Sequence, residues 1–233
     1  MNLNLISLLT PYNISSPKIR LGPNYDGGYV ISQIALEKCS SLFTYGVADD
    51  IRYEEDFSSK YNKPSYLFDH TINKSPWEKD LLKYTPEGLG FDDKCKDFLD
   101  HYEQFSLKKD VLLKIDIEGN EYSYFENTDL EKISKVTSGL LLEIHWINTP
   151  NILDRFINLM NQLNQYFILN HIHGNNYGTV WNYKSYILPN VLELSFINKK
   201  YNLNPVKDKI SYPILNLDYP NNPSSPDINL DFI

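Results

Sequence analysis

The sequence predicts an α/β fold: a mostly parallel sheet with helices on both faces. Three observations predict it. Short apolar runs alternate with stretches of helical 3–4 spacing, the pattern of right-handed βαβ units. The runs are apolar throughout rather than alternating, as in strands covered on both faces. Five of the runs also end in carboxylate, imidazole or amide side chains, at the strand ends where an open α/β sheet binds its ligands.

The elements follow in order. The run 41–47, SLFTYGV, is a buried strand, and RYEEDFSSKY (52–61) is a helix. SYLFD (65–69) is a second strand, PWEKDLLKY (76–84) reads as a helical turn or two, and 85–93 is a Gly-bearing loop. Residues 93–105 are helical by the spacing of Cys95, Phe98, Leu99 and Tyr102. DVLLKID (110–116) is a third strand, 128–136 a short helix, and SGLLLEIHWI (138–147) a fourth strand. NILDRFINLMNQLNQY (151–166) is the clearest helix, with Ile152, Phe156, Leu159, Met160 and Leu163 on one face and Pro150 beside its start. FILNHIH (167–173) and VLELSFIN (191–198) follow as strands with no helix between them, which predicts an antiparallel pair at one end of the sheet. The expected organisation of residues 1–233 is one domain: a lid or cap over 1–40, a core sheet over 41–198, and a proline-bearing strap over 199–233.

Composition narrows the function. Lys plus Arg number 22 against 30 Asp plus Glu, a formal charge of −8, so the field that draws proteins to nucleic acid phosphates is missing. The two cysteines, Cys39 and Cys95, form no CxxC pair and suggest no disulfide scaffold. The N-terminal stretch has no basic region and Pro11 cuts its apolar patch short, so no signal peptide is expected. No run reaches the roughly 18 apolar residues of a membrane span. A cytoplasmic protein is the expectation. No internal repeat is present.

The polar strand ends are Gly46, Ala48, Asp49 and Asp50; Asp69 and His70; Asp116 and Glu118; Glu143 and His145; and His171, His173, Asn175 and Asn176. Each has a plain alternative. Asp49 and Asp50 could cap the next helix, Asp69 could shape a turn, Asp116 could pair with a lysine, and single histidines are often structural. Five coincidences together are harder to accept. The first turn, YGVADD, is not GxGxxG: it holds one glycine and two acids, which would repel a pyrophosphate. A ligand with a positive centre and a ribose suits it better. S-adenosylmethionine is such a ligand, with Asp69 placed for the ribose hydroxyls and Asp116 near the amine and sulfonium.

The segments KIRLGPNYDGGYVI (18–31), LFTYGVADDIRYEEDF (42–57), LFDHTI (67–72), LLKIDIEGNEYSYF (112–125) and LLLEIHWI together resemble the FkbM-type S-adenosylmethionine-dependent O-methyltransferases. KIDIEGNE is the most specific piece. The resemblance runs from about Lys18 to Ile197 and is nearest to sugar-modifying members of capsular and surface-polysaccharide clusters, including heptose O-methyltransferases. It implies a class I methyltransferase (Rossmann-like) sheet of seven strands. It also implies that Arg20, Asp26, Gly27, Gly28 and Tyr29 border the methionine end of the cofactor. One departure stands out: Thr44 occupies a place where many class I enzymes carry an acid. The expected cofactor wall is Tyr29, Tyr45, Gly46, Val47, Ala48, Asp49, Asp69, His70 and Asp116.

In the reaction this implies, a sugar hydroxyl must lose its proton to a base. His145 is the candidate, with Asp116 and Glu143 beside it and His173 as second choice. A divalent ion held by Asp116, Glu143, His145 and Asn175 is an alternative device, not favoured because paired acids at the fourth strand's end are missing. The expected acceptor is a nucleotide sugar such as an NDP-heptose, met by Lys18, Arg20, Glu118, His171, Asn175 and Asn176, with Lys74 and Lys184 as further cations for a diphosphate. Two other classes stay open. One is a non-catalytic nucleotide- or carbohydrate-binding domain; the other is a metal-dependent hydrolase using His171 and His173.

Overall fold

A computed structural model describes residues 5–72, 79–105, 109–201 and 203–231. Seven segments pair into one sheet: β1 (Leu42–Tyr45), β2 (Ser65–Phe68), β3 (Leu82–Thr85), β4 (Val111–Ile115), β5 (Thr137–Ile144), β6 (Phe167–Gly174) and β7 (Leu192–Asn198). The order across the sheet is β3-β2-β1-β4-β5-β7-β6. β1, β2, β3, β4 and β5 run parallel, whereas β7 is antiparallel to both its neighbours. The antiparallel pair expected from 167–198 is therefore present, with β7 inserted inside the edge strand β6. The first five strands follow the doubly wound Rossmann order, which reverses direction between β1 and β4. Helices carry the chain between parallel strands: Arg52–Tyr61 before β2, Phe98–Gln104 before β4, Glu121–Asn127 and Leu130–Val136 before β5, Ile152–Tyr166 before β6.

Successive strand residues face opposite layers, so two cores form. Phe43, Leu113, Leu140 and Leu142 pack with Phe98, Phe125, Ile133 and Phe156 from four helices on one face. Leu42, Leu112 and Leu141 pack on the other face with Leu36 of the helix Gln33–Lys38, with Tyr53 and Phe57, and with Leu21 and Ile31 of an antiparallel hairpin, Lys18–Leu21 with Tyr29–Ser32. This double cover explains why the strands read as unbroken apolar runs.

Four local expectations change. The segment expected as a helical turn over 76–84 ends in β3, an edge strand whose residues after Leu82 are exposed or half-buried, so its mixed pattern resembles a helix surface. The helix expected over 93–105 starts at Phe98, because Cys95–Lys96 first pairs with Gly88–Leu89. Glu121–Asn127 is an additional helix, and Val180–Tyr183 with Tyr186–Pro189 forms an additional hairpin between β6 and β7. Lys74 and the start of the 76–84 segment lie outside the described residues. Among the described residues no helix is long and apolar enough to cross a membrane.

Beyond β7 the chain is extended and turn-rich. It touches the body through one short ladder, Tyr12–Asn13 with Val206–Lys207, and through buried side chains that include Tyr212, Asp218, Asn221 and Leu230.

Candidate functional site

The loops after β1, β2, β4 and β5 open into one crevice of about 1370 Å³ at the carboxyl edge of the sheet. It lies where the strand order reverses, the position at which such sheets bind ligands. The β1 loop crosses the end of β4 at close range: Gly46 has φ +77°, and a Cβ there would lie 1.5 Å from the Asp116 carbonyl oxygen. Only glycine fits that crossing.

Asp69 ties the next two loops together. One of its oxygens accepts the backbone N–H groups of Val47 (3.1 Å) and Ala48 (2.9 Å), and the other accepts the N–H (2.8 Å) and hydroxyl (2.5 Å) of Thr71. Burial pushes this carboxyl up, but the Thr71 hydroxyl and the three amides outweigh it and hold it below the usual carboxylate range. Four donors fill the roughly four acceptor sites of a carboxylate. Asp69 thus shapes the floor of the crevice, which it also lines.

The centre of the crevice is acidic. The Tyr29 hydroxyl lies 2.8 Å from Glu143 Oε2 and 3.2 Å from Asp116 Oδ2, bridging the two. Asn175 donates to the other Glu143 oxygen at 2.8 Å. Burial raises Asp116 to about 6, against the pull of Lys114 and His145. Burial, Asp116 and Glu193 together raise Glu143 well above the carboxylate range. Lys114 is buried beneath them, 4.8 Å from the Tyr29 ring centre and 3.8 Å from Glu54. Thr44, in the place where an acid was expected, donates to that same Glu54 at 2.8 Å.

His145 is oriented from behind. Its Nδ1 lies 3.1 Å from Glu121 Oε1, which also accepts the backbone N–H groups of Ile117 (3.1 Å) and Gly119 (3.2 Å). A carboxylate at Nδ1 places a proton there and leaves Nε2 facing the crevice. Nε2 looks onto Glu118 at 3.6 Å, Glu143 at 3.8 Å and Asp116 at 3.9 Å. Burial pushes the imidazole down, but Glu121, Asp116 and Glu118 outweigh it and raise it above its ordinary value. Glu121 was legible as an acid of the EGNE segment, yet nothing local in the sequence shows that it turns back onto His145.

The crevice gathers Tyr29, Gly46, Val47, Ala48, Asp49, Asp69, His70, Asp116, Glu118, Glu143, His145 and Asn175. Asp50 also lines it and accepts the backbone N–H (3.0 Å) and Nε–H (2.7 Å) of Arg52, whereas the N-cap of the helix is Ile51 with no side-chain cap, so neither aspartate takes the capping role weighed from the sequence. Six expected residues lie elsewhere. Tyr45 is buried below, bonded to His101 Nδ1 at 2.9 Å. His171 pairs with Asp218 at 2.8 Å, and His173 lies between Glu193 and Asp227, each at 3.0 Å. Asn176 donates to the carbonyls of Asn222, Ser225 and Pro226. Lys18 reaches Asp208 (3.1 Å) and Tyr212 (2.6 Å), and Arg20 donates to the carbonyls of Pro23 and Tyr25. All of these side chains except Tyr45 hold the C-terminal strap or the hairpin turn. His171 and His173 therefore present no joint ligand pair to a hydrolytic metal. Lys184 is exposed on the hairpin beyond β6 and is not among the lining residues.

Asp116, Glu121 and His145 bring one ligand atom each within 4.8 Å of one another, a geometry compatible with a cation. In the protein as it stands, Nδ1 of His145 and Oε1 of Glu121 are spent on each other.

No family model matches the chain. No curated protein matches it either. Among solved structures, a chain in the crystal structure of the fibrillarin/Nop5p complex matches over 81% of this chain and 98% of its own, with 11% identity and a TM-score of 0.44.

Proposed function

We propose that the protein is an S-adenosylmethionine-dependent O-methyltransferase acting on a sugar hydroxyl. One observation carries the reading. The crevice is lined by eight carboxyl groups, Asp26, Asp49, Asp50, Asp69, Asp92, Asp116, Glu118 and Glu143, against a single ammonium among the described residues, Lys114. Such a lining repels phosphates and favours a cation. The FkbM-like segments supply its loops: YGVADD after β1, LFDHT after β2, KIDIEGNE after β4 and EIHW after β5.

The donor set fits a sulfonium and an ammonium, both of which suit Asp116 and its neighbours. The β1 loop, Gly46 to Asp49, and the Tyr29 hydroxyl form the adjoining wall. When bound, the cofactor supplies a methyl on a cationic sulfur, which passes to oxygen as the carbon–sulfur bond breaks and leaves a neutral thioether. The rest falls to the chain. His145 Nε2 takes the proton from the acceptor hydroxyl, and Glu121 holds the ring in the tautomer that allows it. A positive charge brought beside Asp116 and Glu118 offsets their pull and lowers the imidazole, so the base is readiest when the crevice is filled.

The same lining bears on the acceptor. A nucleotide diphosphate would enter a field of carboxylates, and Lys18 and Arg20 are engaged elsewhere. The acceptor we propose is therefore a neutral saccharide unit rather than the diphosphate end of an activated sugar.

Incubation with S-adenosylmethionine and a panel of saccharides, read by mass spectrometry, tests the activity. The expected result is the gain of one methyl group, lost in His145→Gln while cofactor binding by calorimetry persists. Absence of cofactor binding to the intact protein would end the proposal.

A further inference from the structure

The loop after β5 holds a bulky side chain in a backbone conformation it disfavours. Trp146 has φ +61°, in the left-handed region that large residues avoid. Such strain persists only where the surroundings over-determine it, and it concentrates at ligand sites. Here four hydrogen bonds fix the backbone on both sides. The Tyr122 hydroxyl donates to the His145 carbonyl (2.7 Å), and Thr149 N–H donates to the Trp146 carbonyl (2.9 Å). Ile147 and Asn148 N–H donate to the carbonyl and side chain of Asn190, each at 3.1 Å.

The strained turn sends the indole outward rather than inward. Trp146 is 49% exposed and lines the crevice. One edge lies against Gly119, where a Cβ would come within 2.8 Å of both Cδ1 and Nε1. The glycine of KIDIEGNE thus gives the indole its seat. A second exposed ring, Tyr177 at 62%, lines the same crevice. Its backbone N–H donates to Asn175 Oδ1 at 2.9 Å, and the other end of that amide holds Glu143. The Trp146 ring centre lies 6.1 Å from that of His145, whose Nε2 is 3.6 Å from the exposed carboxylate of Glu118, and Tyr177 lines the same crevice on the Asn175 side.

Core packing does not account for an exposed indole on so firmly fixed a turn, nor for a second exposed ring on the same crevice. Flat rings beside hydrogen-bond acceptors, in a crevice whose one lining Lys or Arg among the described residues is the buried Lys114, match a ring that is apolar on its C–H face and hydroxylated at its rim. We propose that Trp146 and Tyr177 form the acceptor platform of the methyl transfer, binding one neutral pyranoside ring with a hydroxyl toward His145 Nε2. This rests on the methyltransferase reading for its catalytic consequence, but not for the binding itself.

The test uses the full chain with Trp146→Ala, Trp146→Phe and Tyr177→Ala. Neutral methyl pyranosides are titrated against intrinsic fluorescence, S-adenosylmethionine binding is measured by calorimetry, and methylation is followed by mass spectrometry. The pyranosides should perturb wild-type emission, and Trp146→Phe should remove that response. Trp146→Ala should raise the acceptor KM about tenfold, with Trp146→Phe recovering part of it, since one ring contact is worth about that factor. Cofactor affinity should stay within about twofold in all three variants. If no neutral pyranoside perturbs the emission, or if Trp146→Phe keeps the full response, the platform is refuted. If the pyranosides bind but S-adenosylmethionine does not, the platform stands and the methyltransferase reading fails.

Discussion

Acidification should weaken cofactor binding in step with the protonation of Asp116. Burial lifts this carboxyl to about 6 despite Lys114 and His145, and Glu121 and Glu118 push it further. A cation bound beside it is held by the ionised form. An opposite charge about 4 Å away, at an effective permittivity near 20, is worth roughly 4 kcal/mol as an upper bound. At about pH 7 roughly nine in ten molecules carry the charge, and at about pH 5 roughly one in ten does. S-adenosylmethionine should therefore bind about tenfold more weakly at the lower pH, a loss of about 1.4 kcal/mol. Titration calorimetry across that interval measures it, with near-ultraviolet circular dichroism confirming that the fold is kept. Asp116→Asn should bind weakly throughout and show a flattened pH dependence. A flat wild-type profile, or an Asn variant that keeps the full slope, would refute the assignment of the charge to Asp116. The same shift has a stability consequence of fixed sign. The unfolded carboxyl ionises near 3.9 and the folded one near 6, so this group costs the fold increasing stability between those values as pH rises.

Two further outcomes follow from the geometry. Asp69→Asn loses at least two of the four bonds that tie Val47, Ala48 and Thr71, and bonds to a charged acceptor are worth about 1.5–3 kcal/mol each. Calorimetric melting without cofactor should fall by roughly 6–12 °C, and an unchanged melt would show that Asp69 is not the tie. Burial lowers His173, but Glu193 and Asp227 outweigh it and lift it to about 10. Its contribution is complete below the unfolded value of about 6.5 and is lost as pH rises through about 10, so proteolysis of the strap should quicken above about pH 9 in the wild type. His173→Gln should be cleaved readily at neutral pH, with less of that alkaline step, and equal cleavage of both proteins would count against the clamp.

The sheet was readable because its strands are buried on both faces. Leu112, Leu113 and Leu140 to Leu142 leave no other element to choose. Leu82–Thr85 was not, since an edge strand with polar members looks like a helix surface over so few residues. The acids and His145 at the ends of β1, β2, β4 and β5 were placed by topology alone, and they meet in the crevice. The histidines of β6 were not separable in the same way. His171 and His173 find Asp218 and Asp227, 47 and 54 residues onward, and pairing at that distance leaves no local signature. Trp146 shows the opposite limit: its identity is plain in the sequence, whereas the left-handed turn that exposes it follows from bonds to Tyr122, Thr149 and Asn190.

The residues that moved out of the expected site still act on it. Asn221 of the strap donates to Glu193 Oε1 (2.6 Å) and to Asp26 Oδ1 (2.9 Å), and its carbonyl accepts the Asp26 N–H (3.2 Å). Glu193 in turn holds His173, which holds Asp227. A chain of hydrogen bonds thus runs from the strap, through buried His173, Glu193 and Asn221, to Asp26 on the crevice wall. The strap positions one acid of the lining without entering it. At the centre Asp116 and Glu143 are both raised, first by burial and then by neighbouring acids, which for Glu143 include the Glu193 that Asn221 holds. Tyr29, bonded to both acids, and Asn175, bonded to Glu143, hold the pair close and so preserve that repulsion. The ligand that relieves it most is one that brings positive charge between them, and a neutral ring offered to Trp146 and Tyr177 adds none of its own to compete.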